Sequence, residues 1–207
     1  MKRIILYTTL FLLALGCEKG AGTFTVTGTI YDDSFESPLA NAKIELYGVS
    51  VGNNQISMVA SGITDNAGKY QLSFTRTRTE KYVLKVIKND YFTLEEDIYY
   101  SSLTLKDDNV RNYTTTAKSW VEIRINNTNP VGSDHLQFIR QLGKANCSEC
   151  CGSGLQHYYG AQNTSLFCVN DGNKPYSIEY AVFGTSNTGV LQVNTTAFDT
   201  TVLYLTY

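Results

Sequence analysis

Apolar and polar residues alternate with a period of two along most of the chain that follows its first 22 residues. Such alternation places every second side chain on one face of a strand, as in a half-buried antiparallel sheet. Beyond the N-terminal segment, no stretch repeats convincingly with the helical period. The pattern therefore predicts an all-β protein. The alternating apolar positions of the first half are Phe24, Val26, Gly28 and Ile30; Ala42, Ile44 and Leu46; Tyr70, Leu72 and Phe74; and Tyr82, Leu84 and Val86.

A second alternating region begins after a polar, charge-bearing connection over residues 101–118. It is long enough to form an independent domain of roughly 90 residues. We therefore expect two β-sandwiches in tandem, over residues 23–117 and 118–207, the second of which carries a cysteine-rich loop. The apolar positions of this second region are Val121, Ile123 and Ile125; Tyr176, Ile178, Tyr180 and Val182; and the closing segment 201–207.

The first residues have the composition of an export signal. Lys2 and Arg3 precede an apolar run from residue 4 to residue 15, which is too short to span a bilayer as a stable helix. The run ends in Leu13-Ala14-Leu15-Gly16-Cys17, which resembles the lipobox of bacterial lipoproteins, although the position two before the cysteine is usually a small residue. The resemblance implies a signal peptide over residues 1–16, lipidation of Cys17 and a tether over residues 17–22. An ordinary cleaved secretory signal is the alternative.

Three segments of the first region resemble the carboxypeptidase regulatory-like domain, a module similar to transthyretin and prealbumin. They are residues 26–30 (VTGTI), 38–46 (PLANAKIEL) and 64–70 (TDNAGKY), and Asn41 replaces a glycine that is common in the second segment. The resemblance implies a seven-stranded Greek-key sandwich with an accessory, non-catalytic role. Peptidase activity is not implied, because the zinc ligands of metallocarboxypeptidases lie in a separate catalytic domain.

Four cysteines lie in the second region, at Cys147, Cys150, Cys151 and Cys168. An exported protein folds in an oxidising compartment, where an even number of cysteines favours disulfides. Adjacent residues such as Cys150 and Cys151 do not readily pair with each other, so we expect Cys168 to hold the loop to the sheet. The partner of each cysteine stays open at this stage. The alternative is a tetrahedral metal site formed by Cys147, Cys150 and Cys151 together with Cys168 or His157.

His157, Tyr158 and Tyr159 follow one another in a segment between glycines. Exposed aromatic side chains there would suit contact with a glycan, a peptide or a protein. The alternative is that the rings pack over the nearest sheet edge. The other histidine, His135, lies in Ser133-Asp134-His135, which we interpret as a turn because sequence neighbours rarely converge as a catalytic triad.

Charge and motifs narrow the class of function. The formal net charge is −2 and no basic block is present, which argues against nucleic acid as a partner. The sequence has no HExxH, GxSxG or phosphate-binding P-loop motif, and we expect neither an enzyme nor a cofactor. We expect a lipoprotein of the cell envelope, at the outer membrane of a Gram-negative bacterium, that acts as a protein-interaction or scaffolding module. Glycan or peptide binding through second-domain loops, or metal binding in the Cys147–Cys168 region, are the alternatives.

Overall fold

The computed structural model describes residues 22–207, and within them the chain is all-β, as predicted. Sixteen strands and one short 3₁₀ turn at Tyr100–Ser102 account for its regular structure. The expected signal peptide, Cys17 and residues 17–21 of the expected tether lie outside the described residues. No helix in residues 22–207 has the length and apolar character needed to cross a bilayer.

The first sandwich contains two facing sheets. One sheet has the order β2-β1-β5, with β8 and β9 alongside β1, and the other has the order β4-β3-β6-β7. The strands are β1 Thr23–Asp32, β2 Ser37–Pro38, β3 Lys43–Ser50, β4 Ile56–Ile63, β5 Lys69–Thr75, β6 Thr79–Ile87, β7 Leu94–Tyr99, β8 Asn109–Val110 and β9 Tyr113–Thr115.

The second sandwich pairs a three-stranded sheet with a four-stranded sheet. Their orders are β13-β10-β16, in which β10 and β16 run parallel, and β12-β11-β14-β15. The strands are β10 Lys118–Asn126, β11 His135–Leu142, β12 Gln156–Tyr159, β13 Asn163–Asp171, β14 Pro175–Val182, β15 Thr188–Asn194 and β16 Thr200–Thr206.

Each sandwich has its own apolar core, and the alternation in the sequence identifies both. The predicted side chains of β1, β3, β5 and β6 form the first core, except at Gly28, and Val121, Ile123 and Ile125 of β10 lie at the centre of the second. Gly28 is required because a Cβ atom there would lie 1.7 Å from the carbonyl oxygen of Arg111. β8 and β9 both run parallel to β1, and the backbone at Arg111 passes over Gly28 between them, which divides the last strand of the first sandwich in two.

Two turn residues of the first sandwich explain its sequence pattern. Asp65 Oδ1 accepts hydrogen bonds of 2.8 Å from the backbone N–H groups of Ala67 and Lys69, which fixes the turn between β4 and β5. Asn41 has φ of 54°, in the left-handed region that glycine adopts most easily. Asparagine tolerates this conformation better than most residues, so its replacement of the common glycine is physically consistent.

The sandwiches meet without an extended linker. Ala117, which is fully buried, joins β9 to β10, and its N–H donates to Ser34 Oγ at 3.0 Å. Lys118 N–H donates to the carbonyl of Asp90 at 2.7 Å, and Gly172 N–H donates to the carbonyl of Ala117 at 2.8 Å. The polar connection expected over residues 101–118 therefore ends in a buried joint.

Aromatic and charged side chains close the outside of this joint. The ring of Phe198 lies 5.7 Å from that of Phe35 and 5.5 Å from that of Tyr91, measured between centroids. An ion pair of 2.9 Å joins Lys174 to Asp33 across the same boundary. Contacts of this number and kind oppose bending between the two sandwiches.

Candidate binding surface

The four cysteines of the second sandwich form two disulfides, as the sequence predicts, and the structure settles their connectivity. Cys147 pairs with Cys150, and Cys151 pairs with Cys168, with Cα–Cα distances of 5.3 and 5.1 Å. Cys168 is a buried residue of β13 opposite Val121, so the second disulfide ties the loop to the core. Because all four sulfur atoms are paired, the alternative metal site has no thiolate ligand in this structure.

The loop between β11 and β12, residues 143–155, also contacts the joint between the sandwiches. Arg140 donates to the carbonyl of Cys151 at 2.8 Å, and Lys118 Nζ pairs with Glu149 at 2.8 Å. Lys144 Nζ pairs with Asp171 at 2.8 Å and lies 4.3 Å from the ring centroid of Phe92, which belongs to the first sandwich. The cysteine-rich loop therefore braces the joint, and these contacts indicate a structural role for it.

Strand geometry separates the three consecutive residues that the sequence singled out. In β12, His157 and Tyr159 point to the outer face of the sheet, and Tyr158 points inward. The ring of Tyr158 stacks on that of Phe138, a core residue, at 5.8 Å. Burial raises the pKa of the Tyr158 hydroxyl. His157 and Tyr159 therefore have the exposure that ligand contact requires, and Tyr158 supports them from the core side.

Two residues that sequence reasoning did not assign to the surface complete it. His135 begins β11 directly opposite Tyr159, and Phe183 follows β14. The ring of His135 is sandwiched between those of Tyr159, at 4.3 Å, and Phe183, at 4.5 Å, with interplanar angles of 17° and 5°. We refer to His135, His157, Tyr159 and Phe183 as the distal ring cluster.

The distal ring cluster is open to solvent and contains both histidines of the chain. Tyr159 is 63% exposed and Phe183 is 53% exposed. His135 Nε2 and His157 Nδ1 lie 2.9 Å apart, at hydrogen-bonding distance. No local signal in the sequence brings these two residues together, because they are 22 residues apart and meet only through the pairing of β11 with β12. The interpretation of Ser133-Asp134-His135 as a turn holds for Ser133, which lies in a turn that the backbone N–H of Asp134 closes by donating to the carbonyl of Val131 at 3.0 Å. His135 is the first residue of a strand.

A polar cleft of about 170 Å³ opens beside the cluster, at the same end of the sandwich. Asp134 Oδ2 accepts hydrogen bonds there from the backbone N–H of Val131, at 2.8 Å, and from the side-chain amide of Asn127, at 2.7 Å. These two donors hold the pKa of Asp134 below its usual value. Amide, hydroxyl and aromatic groups line the cleft together with Asp134 and Val182: Asn127, Thr128, Asn129, Thr185, Asn187 and Tyr207.

The opposite sheet of the same sandwich presents a different surface. Tyr204 of β16 is 63% exposed, as is Tyr159, but the guanidinium of Arg124 lies 5.7 Å from the centroid of its ring. Arg124 also donates to Glu122 at 2.9 Å, and Ser165 donates to the same carboxylate at 2.8 Å. These donors lower the pKa of Glu122. The polar and charged side chains of this face therefore bond to one another, whereas the rings of Tyr159 and Phe183 present open surface to solvent.

The described part of the chain offers few groups of side chains that could bind a metal ion. Within residues 22–207, no three or more His, Cys, Asp or Glu side chains are grouped so that they could hold a metal ion. The histidine pair of the distal ring cluster is a group of two.

Comparison with known proteins does not place the chain in a family. No protein-family model matches it, and no curated protein matches it, so the resemblance to the carboxypeptidase regulatory-like domain stays a prediction. Solved structures with partial similarity include the Bacillus anthracis TIE protein, at 14% identity and a TM-score of 0.36 over 90% of this chain and 34% of that chain.

Two further structures show the range of the similarity. The shaft pilin SpaA from Lactobacillus rhamnosus GG has 10% identity and a TM-score of 0.36 over 89% of this chain and 97% of that chain. A 9R-lipoxygenase from Cyanothece PCC8801 has 17% identity and a TM-score of 0.29 over 45% of this chain and 16% of that chain. Likenesses this weak assign no function to the chain.

Proposed function

We propose that this protein is a non-catalytic, membrane-anchored module of the bacterial cell envelope that acts by binding another envelope component. The observation that carries the proposal is the exposed distal ring cluster. Stacked aromatic side chains with large exposed fractions are typical of contact surfaces, because they bury much apolar area at a low cost in side-chain entropy. Tyr159 and Phe183 both have these properties.

The direction of the strands supports a contact role for this end of the molecule. β1 starts at Thr23 and leads toward the joint, and β10 leaves the joint and ends at Asn126. The distal ring cluster lies at the end of the second sandwich where β10 finishes, since β10 and β13 pair Asn126 with Asn163 shortly after Tyr159. Thr23, where β1 begins, and the ring cluster are therefore separated by both sandwiches.

A lipid anchor at Cys17 would make this separation useful. Cys17 lies five residues before Gly22, which is roughly 18 Å of fully extended chain. Acyl chains on Cys17 would hold the first sandwich near the lipid surface, and the ring cluster would face away from it. We propose the outer membrane of a Gram-negative bacterium as the location, on the resemblance of residues 13–17 to a lipobox.

Site-specific photocrosslinking tests the contact surface. A benzophenone amino acid is placed at Tyr159 in one variant and at Tyr204 in another, because both side chains are 63% exposed on the same sandwich. We expect a discrete crosslinked species in cells from the Tyr159 position and none from the Tyr204 position. Equal crosslinking from the two positions, or none from Tyr159, would contradict the proposal.

The anchor has its own test. Metabolic labelling with palmitate should label the wild-type protein, and Cys17→Ser should abolish the label and release the protein from the membrane fraction. If Cys17→Ser stays in the membrane fraction to the same extent as the wild type, this part of the proposal is wrong. That outcome would leave the crosslinking result to decide the contact surface.

Glycan binding is a second candidate, and the polar cleft beside the ring cluster favours it. Side-chain amides, hydroxyls and one carboxylate recognise sugar hydroxyls by hydrogen bonding, and exposed ring faces pack on the apolar faces of sugars. A glycan array with wild-type protein and Asn129→Ala tests it. Glycan binding that weakens in Asn129→Ala supports this candidate, and a blank array counts against it.

A further inference from the structure

The two histidines of this chain occupy neighbouring strands in an arrangement suited to a shared ligand. His135 belongs to β11 and His157 to β12, and both side chains lie on the solvent side of the sheet. They are 22 residues apart in sequence, yet Nε2 of one and Nδ1 of the other are 2.9 Å apart. We propose that this pair binds a transition-metal ion of the Zn²⁺, Ni²⁺ or Cu²⁺ class.

The distances fit two imidazoles on one ion. Zinc–nitrogen bonds are about 2.0–2.1 Å, so the two nitrogens of a tetrahedral site are roughly 3.3 Å apart. The ring centroids of such a pair lie roughly 5.2 Å apart on the same geometry. The centroids of His135 and His157 are 5.1 Å apart. In the hydrogen-bonded pair the facing nitrogens point at each other, so the pair must rotate, by an angle on the order of 35°, before both nitrogens point at one ion. His157 is the more exposed of the two side chains, and its rotation would create the site without moving either strand.

The neighbouring rings limit how the pair can move. His135 is stacked between Tyr159 and Phe183, with centroid distances of 4.3 and 4.5 Å. This stacking holds the plane of the His135 ring and keeps its Nε2 directed at His157. A preorganised ligand loses less conformational entropy when it binds, which favours a usable affinity from only two protein ligands.

Binding requires the proton between the rings to move. In the hydrogen-bonded pair one of the two facing nitrogens carries the proton, and the other accepts it. For both to coordinate, that proton transfers to the other nitrogen of the same ring, which keeps the imidazole neutral. Imidazole is a ligand preferred by zinc, nickel and copper rather than by magnesium or calcium. The remaining coordination positions would hold water or a donor group from a bound partner.

Isothermal titration of untagged protein with Zn²⁺ and Ni²⁺ tests the site, with Mg²⁺ as the negative control. We expect saturable binding of one ion by the wild type, and His157→Gln should weaken it by at least roughly tenfold, the loss that even an outer-shell partner can cause. Binding of equal strength in His157→Gln and in the wild type would overturn the proposal.

A gain-of-function variant is needed as well, because weaker binding by His157→Gln could also result from a folding defect. Gln137 lies directly opposite His157 and on the same face as His135, so Gln137→His would add a third imidazole at the site. This variant should bind Zn²⁺ at least about tenfold more tightly than the wild type. An unchanged affinity would show that the geometry does not converge on an ion, and would count against the proposal.

Nuclear magnetic resonance provides a direct readout, because the chain has only two imidazoles to assign. On titration with Zn²⁺, the nitrogen signals of both rings should shift together and saturate at one ion per chain. A shift confined to one ring, or none, would contradict shared coordination. The proposal does not depend on the envelope partner, so failure here leaves the photocrosslinking experiment unaffected.

Discussion

The outer sheet faces of the two sandwiches differ in how they meet solvent. On the first, lysines and acidic residues of β6 and β7 pair across strands, as in Lys81–Asp97 at 2.6 Å and Lys85–Glu95 at 2.5 Å. On the second, the distal part of the β11 and β12 face carries four stacked rings in place of charge pairs. Charged side chains keep exposed sheets from sticking to other proteins, whereas rings favour contact. The difference supports the proposal that the contact surface lies on the second sandwich.

The largest expected effects test whether the two sandwiches are coupled. Ile123→Ala, in the core of the second sandwich, should lower the free energy of unfolding by about 3 kcal/mol. Ile44→Ala is the matched change in the first, and both residues are fully buried. The one tryptophan, Trp120, lies in β10 and reports on the second sandwich in denaturant titrations. Because the joint is buried and hydrogen-bonded across the boundary, we expect Ile44→Ala to shift the Trp120 transition as well. A Trp120 transition unchanged by Ile44→Ala would show independent units.

The next effect distinguishes the two disulfides. Replacing Cys151 and Cys168 with alanine removes a closed loop with a sequence separation of 17, worth about 3 kcal/mol. Replacing Cys147 and Cys150 opens a loop with a separation of 3, worth about 2 kcal/mol. Denaturant titration of both double variants under oxidising conditions should therefore rank the Cys151–Cys168 loss as larger. The reverse ranking would contradict the role assigned to the buried sulfur of Cys168.

A smaller effect concerns the turn between β4 and β5. Asp65→Ala removes the acceptor of two backbone hydrogen bonds, and should cost about 1 kcal/mol of stability. Asp65→Asn keeps an acceptor oxygen and should cost less. Thermal unfolding of the two variants measures the difference, and equal losses would argue that charge rather than hydrogen bonding matters there.

The smallest expected effect belongs to the distal ring cluster. Tyr159→Ser should change the free energy of unfolding by only about 0.5 kcal/mol, because the side chain is largely exposed. The matched variant Tyr204→Ser should have a similarly small effect. A large loss from Tyr159→Ser alone would mean that the rings stabilise the fold, and would weaken their interpretation as a contact surface.

The strands could be predicted from the sequence because burial follows their alternation directly. Phe24, Val26 and Ile30 face the first core, and Val121, Ile123 and Ile125 face the second. Gly28 also lies at an alternating position, but space for the backbone carbonyl of Arg111, not core packing, explains it. The approach of Arg111 to Gly28 joins residues far apart in sequence and leaves no local pattern, so the division of β8 from β9 could not be predicted.

The candidate surface was accessible to prediction only in part. His157 and Tyr159 could be proposed because aromatic residues cluster there in sequence. His135 and Phe183 join them through strand pairing, which depends on the register of β11 with β12 and β14. Disulfide connectivity depended in the same way on tertiary structure, since several pairings of four cysteines were compatible with their spacing.

The buried Ala117 joint has a consequence for recognition. A hinge between the sandwiches would let the ring cluster sample many directions, and a partner would have to select one of them at an entropic cost. With Ala117, Gly172 and Lys118 bonded across the boundary, that choice is already made when the protein folds. A partner that binds the ring cluster would therefore meet the first sandwich in one fixed orientation.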